Sequence, residues 1–171
     1  TSNAMTKHDK IVNIPLGIGK DSPEPLCSTL TSQLHVATHD RVNLVYANWQ
    51  DYTYDRAVLR NSVASANFTW VTLVNSPKSF ALCPEGNGVD CYRMLECLYC
   101  GCIPIVLDRI SYGYLNDLPC VKLNSWAELN PDILKRELTR INRDGLWDNL
   151  HKLTKKFWKS EIDSSKILLE V

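Results

Sequence analysis

The loop Pro84-Glu85-Gly86-Asn87-Gly88-Val89-Asp90, followed within a helical turn by Arg93 and then Glu96, is where residue types and spacing in this chain could do chemistry. Gly86 and Gly88 let the backbone bend sharply with its amides uncovered. The spacing predicts a helix from about Asp90 to Cys100. The first turn of a helix has N–H groups without intrahelical partners and sits at the positive end of the helix dipole, so it favours an anion such as phosphate. At about 100° per residue, Met94, Leu95 and Leu98, with Cys91, fall on one arc that should face a core. Asp90, Arg93, Glu96, Cys97 and Cys100 fall on the other, which should look toward a ligand or water. The plainer alternative makes Asp90 an N-cap and Arg93–Glu96 a surface ion pair. Position favours the ligand reading, because the loop follows a strand, and open α/β sheets bind ligands at the carboxyl ends of their strands.

The elements that must hold this loop are legible as alternating strands and helices. Ser79 to Cys83 reads as the strand before it and Cys102 to Leu107 as the buried strand after it. Upstream, Val42 to Ala47 reads as a strand ending at Asn48 and Trp49. Ile11 to Pro15 and Leu34 to Thr38 read as shorter strands, and Tyr54 to Ala66 as a helix with Asp51 as its cap. Trp70 to Val74 is β-rich, yet it lies too close to the next strand for an ordinary parallel crossover. It is therefore expected to be an antiparallel edge, or to precede a trimmed connection. Asp108 to Pro119, with Tyr112, Gly113 and Tyr114, is irregular and placed to drape over a ligand. Cys120 to Leu123 reads as the last strand. Ser125 with Glu128 has capping-box spacing, Asn130-Pro131 starts a helix to Asn142, and Leu146, Leu150, Leu153 and Phe157 stripe a further helix after Gly145. This pattern predicts a three-layer, Rossmann-like α/β domain with a mainly parallel sheet and C-terminal helices.

Length and composition bound the function. The 171 residues suit one domain, 5–171, with residues 1–4 before Met5 read as a cloning scar. Nineteen basic side chains balance nineteen acidic ones, so no global field favours nucleic acid or an anionic membrane. The polar run from Thr6 to Lys10 and the lack of a long apolar stretch lead us to expect a soluble, cytoplasmic protein. Seven cysteines do not suggest a disulfide framework. Cys97-x-x-Cys100 lacks a second pair at zinc spacing, and His35 with His39 is a lone pair, so the cysteines are read as small packing residues and no metal or cofactor is expected.

The quoted loop with Arg93, Glu96 and Gly101-Cys102-Ile103-Pro104-Ile105-Val106 resembles the donor-side signature of exostosin-like glycosyltransferases. Ile14-Pro15-Leu16-Gly17, Tyr46-Ala47-Asn48 and Asp117-Leu118-Pro119 ahead of Trp126 extend the likeness over most of Ile11 to Trp158. The resemblance implies a domain that holds a nucleotide-sugar or nucleoside diphosphate with Gly86, Asn87, Gly88, Asp90, Arg93 and Glu96. Arg93 would face the diphosphate and Glu96 the ribose, in keeping with a guanidinium's fork of donors and a carboxylate's affinity for hydroxyls. It also implies an amino-terminal acceptor domain that this chain has no room for, so a partner chain or a homodimer is expected to complete an enzyme. No catalytic base is identified. The alternative is a non-catalytic module for a nucleotide or another phosphorylated ligand. Cys97 departs from the family pattern, which has alanine there.

Overall fold

Parallel strands buried on both faces read as nearly continuous apolar runs, and Ile103-Pro104-Ile105-Val106-Leu107 is such a run in the interior of the sheet. The computed structural model describes residues 12, 14–16, 43–47, 49, 51, 53–65, 71–72 and 78–167. Its strands are β1 (Asn43–Tyr46), β2 (Val71–Thr72), β3 (Lys78–Leu82), β4 (Ile103–Leu107) and β5 (Val121–Leu123). They pair in the order β2-β1-β3-β4-β5, every pair parallel. The helices are α1 (Tyr54–Ser65), α2 (Tyr92–Tyr99), α3 (Pro131–Arg143) and α4 (Lys155–Ile167).

Alternation along the strands sorts side chains between two cores. Phe80, Leu82, Ile103, Ile105, Val121 and Leu123 face one way, against Leu59 and Val63 of α1 and Leu134 and Ile141 of α3. Ala81, Cys83, Cys102, Val106 and Cys120 face the other way, against α2 and the 3-10 turn of residues 110–115. The order runs outward from β1 to β2 on one side and from β3 to β5 on the other. Right-handed connections then put α1 and α2 on opposite faces, and the order reverses between β1 and β3. This is the three-layer, Rossmann-like α/β fold expected from the sequence.

Several local expectations are corrected. β2 is a parallel edge with only residues 73–77 between it and β3, so of the two alternatives the trimmed connection holds and the antiparallel edge does not. Residues 12 and 14–16 form no strand, and the run at 34–38 lies outside the described residues. Thr53, not Asp51, caps α1: its hydroxyl accepts from the Arg56 amide at 3.4 Å, while Asp51 pairs with Arg60. Ser125 caps a 3-10 turn (Trp126–Glu128) without the reciprocal box, because the Glu128 carboxylate accepts from Asn124. The stripe after Gly145 divides into a 3-10 segment (Leu146–Leu153) and α4, since Thr154 starts the new helix by accepting from the Phe157 amide. Asn130 caps α3 as expected, accepting from the amides of Asp132 and Ile133.

Pro104 lies inside an interior strand yet leaves no broken ladder. The Ile105 carbonyl accepts from Cys83 of the β3 side, so its neighbour Pro104 faces β5, and β5 begins only at Val121, opposite Ile105. Eight residues make α2 too short to be stable alone. Met94, Leu95 and Leu98, each at most 2% exposed, hold it with about 2 kcal/mol apiece. Gly101 ends it with φ of 65°. Gly101→Ala would force a side chain into that left-handed conformation and should lower unfolding free energy by about 1–2 kcal/mol, measured by denaturant titration.

Candidate functional site

Two helices begin where the strand order reverses, α1 after β1 and α2 after β3, and both carry an arginine in their first turn: Arg56 and Arg93. The helix dipole disfavours a cation there. The first turn of α2 contains no acidic residue, and its N-cap, Cys91, makes no side-chain cap bond.

The loop between β3 and α2 is clamped from several elements. Arg56 reaches across from α1, donating from Nε to the Glu85 carbonyl at 2.7 Å and from Nη2 to the Pro84 carbonyl at 3.4 Å. Arg109, two residues past β4, pairs with the Glu85 carboxylate. From the 3-10 turn of 110–115, Tyr112 donates its hydroxyl to the Val89 carbonyl and Tyr114 donates to Asp90 Oδ1 at 3.1 Å. That turn is in turn held by Lys122 of β5, which donates to the Tyr112 carbonyl and to Asn116 Oδ1. The tyrosines therefore point inward, to the loop's own backbone and carboxylate, where the sequence had suggested a drape over a ligand.

The six residues singled out from sequence all lie on this loop and helix, in two environments. Asn87 is exposed, and Gly86, Gly88, Arg93 and Glu96 are half-buried. Asp90 is buried, 4% exposed, and accepts from the Leu16 amide at 2.9 Å as well as from Tyr114, so it does not join the outward arc. Cys97 is also buried, whereas Cys100 is exposed, so the two do not act as one pair. Among the described residues no group of three or more His, Cys, Asp or Glu side chains is arranged to hold a metal ion, and His35 and His39 lie outside them.

The glycines serve a different purpose from the one expected. Neither Gly86 nor Gly88 has a positive φ, and the Gly86 amide is covered by the Gly88 carbonyl at 3.1 Å. A Cβ on Gly86 would lie 3.1 Å from Arg56 Nη2. Glycine at 86 thus leaves room for the guanidinium.

None of the ion pairs among the described residues involves Arg93, so the surface pair with Glu96 that was the plainer alternative does not form. Burial pushes the Cys91 thiol up, and Asp90 adds to that, while Arg93 and Arg56 both pull it down. Arg56 of α1 is held by the Glu85 and Pro84 carbonyls beside the loop that leads into α2, whose first turn carries Arg93. Burial likewise raises the Asp90 carboxyl above the usual range, opposed by its bonds from Leu16, Tyr114 and Cys91. Sequence reasoning missed Arg56, Arg109, Leu16 and the clamping role of the tyrosines. A cation three residues into α1, against the dipole, is the one signal that could have marked Arg56.

No family model matches the chain. Over 121 residues it is 24% identical to a protein of Arabidopsis thaliana described as a probable glycosyltransferase, a match covering 70% of this chain and 24% of that one. The chain spans about a quarter of that relative's length. Among the described residues no helix is long and apolar enough to cross a membrane.

Two outcomes follow from the clamps. Arg56→Ala removes a charged donor from two loop carbonyls and should cost about 1–3 kcal/mol of unfolding free energy in denaturant titration. Asp90 binds its proton more tightly folded than unfolded, so stability falls as pH rises from about 3.9 through the raised folded value and is flat above it. The stability of the wild type relative to Asp90→Asn should fall across that range; a rise would show that the buried carboxylate is held charged.

Proposed function

We propose that this chain is the donor-binding domain of an exostosin-like glycosyltransferase, holding a nucleotide-sugar at the carboxyl ends of β1 and β3. The observation that carries the reading is the pair of first-turn arginines, Arg56 and Arg93, that flank the strand-order reversal. Each is placed against its helix dipole, and Arg56 is tied by hydrogen bonds to the loop that leads into α2. A diphosphate is the ligand that would turn this repulsion into attraction. The distant likeness to a probable glycosyltransferase supports the same chemistry.

In this reading Arg93 takes the diphosphate with the free fork of its guanidinium. Arg56, fixed to the loop, contributes charge from the other side. Glu96, one turn along α2, accepts the ribose hydroxyls, and Asn87 on the exposed bend contacts the donor, with Gly86 and Gly88 keeping the backbone low beside it. Asp90 does not touch the ligand; it holds the loop through Leu16 and Tyr114. As the glycosidic bond breaks, the departing diphosphate gains negative charge, which both arginines and the α2 amides stabilise without a metal. The acceptor and the base that activates it come from a further domain, on a partner chain or a second copy.

Thermal melts with UDP, GDP and their sugar conjugates test the site. A ligand at about 100 times its dissociation constant adds about 2.7 kcal/mol. Arg93→Ala should weaken nucleoside diphosphates about tenfold or more while sparing free nucleosides. No shift with any of these ligands would refute the proposal. Binding without release of nucleotide from the sugar conjugates would make the isolated chain a binder and not an enzyme.

A further inference from the structure

Directly beneath the loop, on the face of the sheet covered by α2, two thiols meet. Cys83 ends the β3 side of the loop and Cys97 lies on α2, and their sulfurs are 3.8 Å apart in the core. Cys83 also donates to the Ala81 carbonyl at 3.6 Å. The Cys97 carbonyl accepts from the Cys102 amide at 2.8 Å, fixing the end of α2 against the start of β4. The pair brackets all six residues singled out on the loop and helix.

We propose that Cys83 and Cys97 are a modification site: a thiol pair that a small hydroperoxide closes to a disulfide, stapling the loop and the first turns of α2. The balance is two-electron. The Cys97 sulfur, the less buried of the two at 9% exposed against 1%, loses its proton and attacks an oxygen of hydrogen peroxide to become a sulfenic acid, releasing hydroxide that takes up that proton as a first water. The Cys83 sulfur then attacks the Cys97 sulfur, forming the S–S bond. Its proton leaves with the sulfenic hydroxyl as a second water. Closure needs the sulfurs to approach from 3.8 Å to a bond of about 2.05 Å.

The surroundings set the rate. Cys102 pulls the Cys97 thiol down, but its contact with Cys83 and its burial push it well above the usual range; burial also pushes the Cys83 thiol up, while Cys97 and Arg93 are among the groups that pull that one down. Reaction is therefore slow compared with that of a thiolate at an exposed position, and it needs a small oxidant. The proposal does not rest on the nucleotide reading.

The test is hydrogen peroxide treatment of the full chain, alkylation of remaining thiols, digestion and mass spectrometry. The Cys83 and Cys97 peptides should be recovered joined, lighter by two hydrogens than the free pair and separable by dithiothreitol. Hydrogen exchange over residues 84–96 should slow in the oxidised protein. In Cys97→Ala, a small-for-small exchange, no link should form and Cys83 should be recovered as a free thiol after unfolding. If that variant does not fold, the wild-type peptide map decides by itself. Free Cys83 and Cys97, a Cys97–Cys102 link, or only sulfinic and sulfonic products would overturn the assignment, as would unchanged exchange in the linked protein.

Discussion

The grip of Arg56 on the carbonyls of Pro84 and Glu85 is the interaction on which the site depends. It joins an element that follows β1 to one that follows β3, across the place where the strand order reverses. The loop is tied besides to Arg109, Tyr112 and Tyr114, beyond β4, and to Leu16, ahead of β1. Glycine at 86 is a condition of the grip, since a methyl group there would press against the guanidinium at 3.1 Å. Because the arginine's partners are backbone carbonyls, it sets loop position and contributes charge at the same time.

The sheet was legible because its physics is local. β3, β4 and β5 are short apolar runs with breakers beside them, and Asn130-Pro131 carries its helix start in two letters. The loop and α2 were legible for the same reason. What sequence could not show were contacts across long separations: Leu16 with Asp90, Tyr112 with Val89, Arg109 with Glu85. Asp90 illustrates the limit. Helical periodicity put it on the polar arc, but the arc begins only at Tyr92, and Asp90 lies before it, in a bend where a tyrosine and an amide converge. For the edge strand β2 local sequence left two alternatives open, and the short separation from β3 is met by a parallel strand with a trimmed connection.

Small side chains govern how closely α2 approaches the sheet. Ala81, Cys83, Cys97 and Cys102 fill the space between helix and strands, with Met94, Leu95 and Leu98 sealing the remainder. The Cys97 sulfur lies in this layer, beside Cys83. The layer therefore supports the loop from below, while the arginines and tyrosines hold it from the sides.

The bond from the Leu16 amide to Asp90 spans 74 positions in the chain and reaches a carboxylate that water barely touches. Its consequence concerns where the unit may be cut. Trimming the amino terminus past residue 16 would strip a donor from that carboxylate, at a cost of about 1–3 kcal/mol. Residue 16 therefore belongs to what holds the loop, although residues 12 and 14–16 belong to no strand or helix.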